Sequence, residues 1–169
     1  EPGRYLLECY VKTDGVFHTT SPGEGQLGMV MDLTVTGEEN GAREPVANAT
    51  LSISNSGFEI TGGALRAGTN IIGVEFREQQ ALPSFVGNDV HLLRVEGENS
   101  LDLADAWMDW RTPQGLQSPS PVVFLGGVQD MPAGSRAYFR ADLAPGDYAF
   151  IAEVPGPRAA GLVLPFSVK

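Results

Sequence analysis

A thiol, an imidazole and a thioether lie near the start of the chain, as Cys9, His18 and Met29. Sulfur and imidazole nitrogen are donors that suit transition metals, so three such residues in one stretch are a candidate metal site. The chain holds one Cys and two His in all, so their placement carries weight. The competing reading is ordinary filling: a small buried thiol, a solvated loop imidazole and a core methionine.

The elements around these residues occur twice. Pro2-Gly3-Arg4-Tyr5-Leu6-Leu7 opens a strand, and Gly28-Met29-Val30-Met31-Asp32-Leu33-Thr34-Val35 closes a hairpin. Pro145-Gly146-Asp147-Tyr148-Ala149-Phe150 and Gly161-Leu162-Val163-Leu164-Pro165-Phe166-Ser167-Val168 repeat both patterns. The openings are 143 residues apart and the closings 133, so the second loop is shorter by ten residues. In the second copy Ala152 stands in the place of Cys9 and Leu162 in that of Met29, while His18 falls in the deletion. A fold outlives its site readily. The second copy is thus a built-in control, and it favours packing over ligation for Cys9.

Alternation of apolar and polar residues marks the strands. Tyr5, Leu7, Cys9 and Val11 share one face of the first, and Met29, Met31, Leu33 and Val35 one face of the next. Residues 1–36 therefore read as the closing hairpin of a domain, and residues 37–48 as a linker rich in Gly and Glu. The chain starts in the loop before a strand that the second copy places deep inside a domain, so an upstream segment is expected. A complete domain is expected over 49–169. Its strands are carried by Leu51 and Ile53, Phe58 and Ile60, Ile72 to Phe76, Val90 to Val95, Val122 to Leu125 and Ala137 to Ala141, and its last hairpin is the second copy. One helix is expected, capped by Asn99 or Ser100, with Asp102 in its first turn and Leu103, Trp107 and Trp110 on its buried face. Pro113-Gln114-Gly115 stops it. The fold class is all-β: a Greek-key sandwich with one inserted short helix, preceded by a hairpin from a second, similar domain.

Composition narrows the function. Gly 21 and Pro 12 in 169 residues fit many turns, and 42% hydrophobic residues support a packed core. A net charge of -10 argues against nucleic acid and against anionic lipid, both of which need Lys and Arg. There is no apolar run long enough to span a bilayer. Gly-rich phosphate loops, a Gly-x-Ser-x-Gly elbow and His-Glu-x-x-His are absent from the sequence, so no enzyme is expected.

Tyr5-x-x-x-Cys9, then His18, then Gly28-Met29 resembles the copper loop of cupredoxins, and Asn88-Asp89-Val90-His91 resembles the segment holding the first copper ligand of that family. The resemblance implies a cupredoxin-like domain of bacterial envelope proteins, periplasmic or extracellular. It also implies a metal set of Cys9, His18, Met29 and a histidine of the His91 type. The chain departs from the pattern: the loop spacings are long, and His91 belongs to the domain that has lost the loop ligands.

Three functions follow. The preferred one is a non-catalytic, copper-free structural or docking subunit on a larger assembly, such as a membrane electron-transfer or photosynthetic complex. Its partners would be other protein subunits, with Trp107 and Trp110 as candidate partner-binding anchors. The alternative is a copper electron-transfer protein using Cys9, His18 and Met29, and a further alternative is a ligand-binding sandwich module.

Overall fold

The computed structural model describes residues 2–8, 12–14, 16–17, 30–38, 41–81 and 87–169. The chain divides into two compact units: residues 1–44 with 116–119, and residues 45–115 with 120–169.

In the first unit, β1 (Gly3–Glu8) pairs antiparallel with β4 (Val30–Val35), and two short strands, β2 (Lys12–Thr13) and β3 (Val16–Phe17), pair with each other. Tyr5 lies opposite Leu33 and Leu7 opposite Met31. Successive residues of a strand face opposite ways, so Tyr5, Leu7, Met31, Leu33 and Val35 share one face. That face is exposed: Leu7 is 54% and Met31 60% accessible. Arg4 and Asp32 hold the opposite face through a solvent-exposed ion pair at 3.7 Å. The Lys12 N–H donates to the Leu116 carbonyl and the Ser118 N–H to that of Lys12, which ties residues 116–119 to this unit.

The second unit is a sandwich of two four-stranded sheets. One has the order β10 (Arg136–Leu143), β7 (Gly68–Phe76), β5 (Ala49–Ser54), β6 (Gly57–Gly63). The other has the order β12 (Val163–Val168), β11 (Gly146–Ile151), β8 (Val90–Arg94), β9 (Val123–Val128). Only β5 and β7 run parallel among these pairs. The inward residues alternate as the sequence requires: Leu51, Ile53, Ile72, Val74 and Phe76 from one sheet meet Val90, Leu92, Tyr148, Phe150 and Val168 from the other. The unit begins before its first strand. Asn48 is bound to Ile71 twice, through its own N–H to the Ile71 carbonyl and through its side-chain oxygen from the Ile71 N–H.

The expected repeat holds at the level of register. Gly3 pairs with Val35, Tyr5 with Leu33 and Leu7 with Met31; in the second copy Gly146 pairs with Val168, Tyr148 with Phe166 and Phe150 with Leu164.

Helix α1 (Ser100–Met108) packs against β11. Its buried residues are Ser100, Ala104 and Met108, not the expected stripe of Leu103, Trp107 and Trp110. Leu103 is exposed, and both tryptophans are half-buried. Small side chains at i and i+4 let the helix axis approach the sheet, which leaves the bulky rings on its flank. Asn99 occupies the N-cap position without a side-chain cap, and the Ser100 hydroxyl instead accepts the Glu96 N–H. Asp102 and Asp105 both bind Arg158, by its guanidinium and its backbone N–H respectively.

Candidate functional site

The chemistry in the second unit gathers at one end of the sheet β12-β11-β8-β9. Asp89 and His91 are two residues apart, so they project from the same face of the chain as it enters β8. Antiparallel pairing sets His91 opposite Ile151, and the chain beyond β11 brings Glu153 to the pair. His91 Nε2 lies 2.9 Å from Asp89 Oδ2 and 4.0 Å from Glu153 Oε2. The other Asp89 oxygen accepts the Glu153 N–H at 2.7 Å, so one buried carboxylate fixes both neighbours. The Phe124 ring meets the imidazole edge-on at 5.9 Å, and Trp107 packs on Phe124 at 5.5 Å.

The support beneath is polar and closed. Asn88 is fully buried; its N–H donates to Gln79 Oε1, while Gln79 Nε2 donates to the Asn88 carbonyl. Across the pair, Gly127 lies opposite His91, and a Cβ there would stand 2.2 Å from the Val90 carbonyl oxygen. Only glycine lets β9 approach β8 at this level.

Burial and the neighbouring Asp89 carboxylate push Glu153 up to about 7, with Asp130 adding to the rise and His91 opposing it. For His91, burial alone would lower the pKa; the hydrogen bond and charge of Asp89, with the charge of Glu153, overcome it and leave it raised.

Cys9, His18 and Met29 lie outside the described residues. Ala152 and Leu162, which replace Cys9 and Met29 in the second copy, are fully buried with Val154 and joined by an Ala152 N–H to Leu162 carbonyl bond of 3.1 Å. Asp89 and Glu153 were not singled out in the sequence. The Asp-x-His alternation was visible there, but Glu153 comes into reach only through the β8–β11 pairing.

No protein-family model matches the chain, and neither does any curated protein. Solved structures do match. Dithionite-reduced auracyanin from the photosynthetic bacterium Roseiflexus castenholzii aligns with a TM-score of 0.53 at 14% identity, over 71% of this chain and 94% of that one. Auracyanin B gives a TM-score of 0.53 at 15% identity, over 76% of this chain and 92% of that one. The fold is cupredoxin-like. The second hairpin copy carries a methyl group at Ala152 and an isobutyl group at Leu162 where the first has the sulfur of Cys9 and Met29, so the donor set for a thiolate copper centre does not fit this domain. What the domain offers around His91 is oxygen, from Asp89 and Glu153.

Proposed function

We propose that the chain is a non-catalytic, cupredoxin-like docking subunit of a larger extracytoplasmic assembly, and that its second domain works without copper. The observation that carries this reading is the face of the first hairpin. It has the register of β11–β12, whose equivalent residues Tyr148, Phe150, Leu164, Phe166 and Val168 all pack into the sandwich core. Tyr5, Leu7, Met31, Leu33 and Val35 are exposed instead. A contiguous apolar sheet face of this kind marks an interaction surface, and a two-stranded hairpin needs further packing to be stable in water. Residues 1–36 are accordingly proposed as the closing hairpin of a second cupredoxin-like domain, joined by residues 37–48 to the domain at 49–169.

The buried Ala152 and Leu162 support the copper-free part of the reading. A membrane electron-transfer or photosynthetic complex is the proposed setting; the likeness to an auracyanin from a photosynthetic bacterium supports it by analogy of fold.

The test is fractionation of the producing cells. The chain is expected in an extracytoplasmic complex, and the double substitution Leu7→Glu with Met31→Glu is expected to release it. Identical fractionation of both forms overturns the docking reading. An intense blue colour of the purified chain after addition of Cu(II) overturns the copper-free one and favours the set Cys9, His18 and Met29.

A further inference from the structure

The half-buried carboxylate of Glu153 faces an electrostatic problem. Among the described residues its one cationic neighbour is His91, 4.0 Å away, while Asp89 and Asp130 both add negative charge to its surroundings. A second buried carboxylate, Asp89, is already committed, one oxygen to the Glu153 N–H and the other to the imidazole. Two carboxylates and one imidazole thus converge with too little positive charge between them.

We propose that Asp89, His91 and Glu153 form a binding site for a divalent cation of the zinc class, distinct from the thiolate copper chemistry of the fold. One donor atom from each of the three residues lies within 4.8 Å of the other two. Zinc holds nitrogen and oxygen donors at roughly 2.0–2.2 Å, which sets neighbouring donors roughly 3–3.5 Å apart. The Asp89–His91 pair at 2.9 Å must open slightly and the His91–Glu153 pair at 4.0 Å must close slightly. Each change in donor separation is about half an ångström, within the reach of reorienting the Asp89 and Glu153 side chains. The ion takes the place of the proton on Nε2 and of any proton on the Glu153 carboxyl, and those protons leave to solvent.

The rest of the site suits this role. Imidazole with carboxylate oxygen is a donor set for zinc and its neighbours in the first transition row, whereas an all-oxygen set would favour magnesium or calcium. The bond from the Glu153 N–H to Asp89 orients one ligand through the backbone of another, and Phe124 steadies the ring. His91 and Glu153 both keep part of their side chain accessible, so an ion has a path in. Three protein donors leave a fourth position for water.

Chelator-washed full-length chain is titrated with ZnCl2 by calorimetry, while the His91 ring resonances are followed by NMR. One Zn2+ per chain is expected, with shifted His91 resonances. Glu153→Gln and His91→Gln are each expected to weaken binding tenfold or more, with the circular dichroism of Glu153→Gln matching the parent. The double substitution Cys9→Ser with His18→Gln is expected to bind as the parent does. The proposal is overturned by no binding at about 1 mM Zn2+, by equal affinity in the Glu153→Gln form, or by loss of binding in the Cys9 and His18 double form.

Discussion

Tyr5 and Tyr148 hold the same position in two hairpins of one register, yet Tyr148 is 1% exposed and Tyr5 43%. The difference lies in what covers each hairpin. Tyr148 stacks with Phe166 at 5.7 Å inside the sandwich, and its hydroxyl donates to the Ala144 carbonyl at 2.7 Å.

The contrast extends to the next inward position. Phe150→Ala removes a fully buried ring and is expected to cost about 3–5 kcal/mol in urea unfolding of the second unit. Leu7→Ala, at the matching place in the exposed hairpin, is expected to change the stability of the isolated chain by less than about 0.5 kcal/mol. A large loss at Leu7 would mean that the face is already covered within the chain.

The tyrosine hydroxyl is separable from its ring. Tyr148→Phe keeps the stacking and deletes one buried hydrogen bond, so a loss of about 1 kcal/mol is expected in the same measurement. A neutral result would show that the bond from Tyr148 to Ala144 does not hold this corner.

Glu153 makes stability fall as pH rises. Its folded pKa of about 7 lies above the ordinary value of 4.5, so between those values the folded state holds more protons than the unfolded one. The stabilising contribution is full below about 4.5 and is lost through about 7. His91, also raised, loses its contribution in the same direction as pH climbs past its folded value. Up to roughly 3 kcal/mol is at stake for Glu153. Denaturation midpoints are expected to drop between about pH 5 and pH 8 and to drop less in Glu153→Gln, where the share of His91 is left. A parallel drop in that variant would assign the effect to other groups.

Gly127→Ala tests the close approach behind the imidazole. The added carbon would meet the Val90 carbonyl oxygen at 2.2 Å and the His91 Cα at 3.0 Å, both backbone atoms that cannot rotate away. A loss of roughly 2–3 kcal/mol is expected, visible as a lowered thermal midpoint. An unchanged midpoint would show that β8 and β9 separate at little cost.

The hairpins were legible in the sequence because their alternation has period two and recurs with the same partners: Tyr5 with Leu33, Tyr148 with Phe166. The helix was legible as an element but not by face. Its large apolar residues suggested a stripe, whereas Ser100 and Ala104 decide the contact because they are small. The cluster at His91 was half legible. Asp89 is a near neighbour in the chain, but Glu153 lies 64 residues beyond Asp89 and is delivered by sheet pairing that no local pattern encodes.

The sheet pairings of the second unit have a kinetic consequence. Leu51 must find Val74, and Arg94 must find Tyr148, before either sheet has its central ladder. Each search closes a loop of tens of residues before any hydrogen bond rewards it, which places folding in the millisecond-to-second range of all-β sandwiches. Throughout that interval the strand edges are open to one another and to other chains, so slow refolding with aggregation at high concentration is the behaviour to expect on dilution from denaturant.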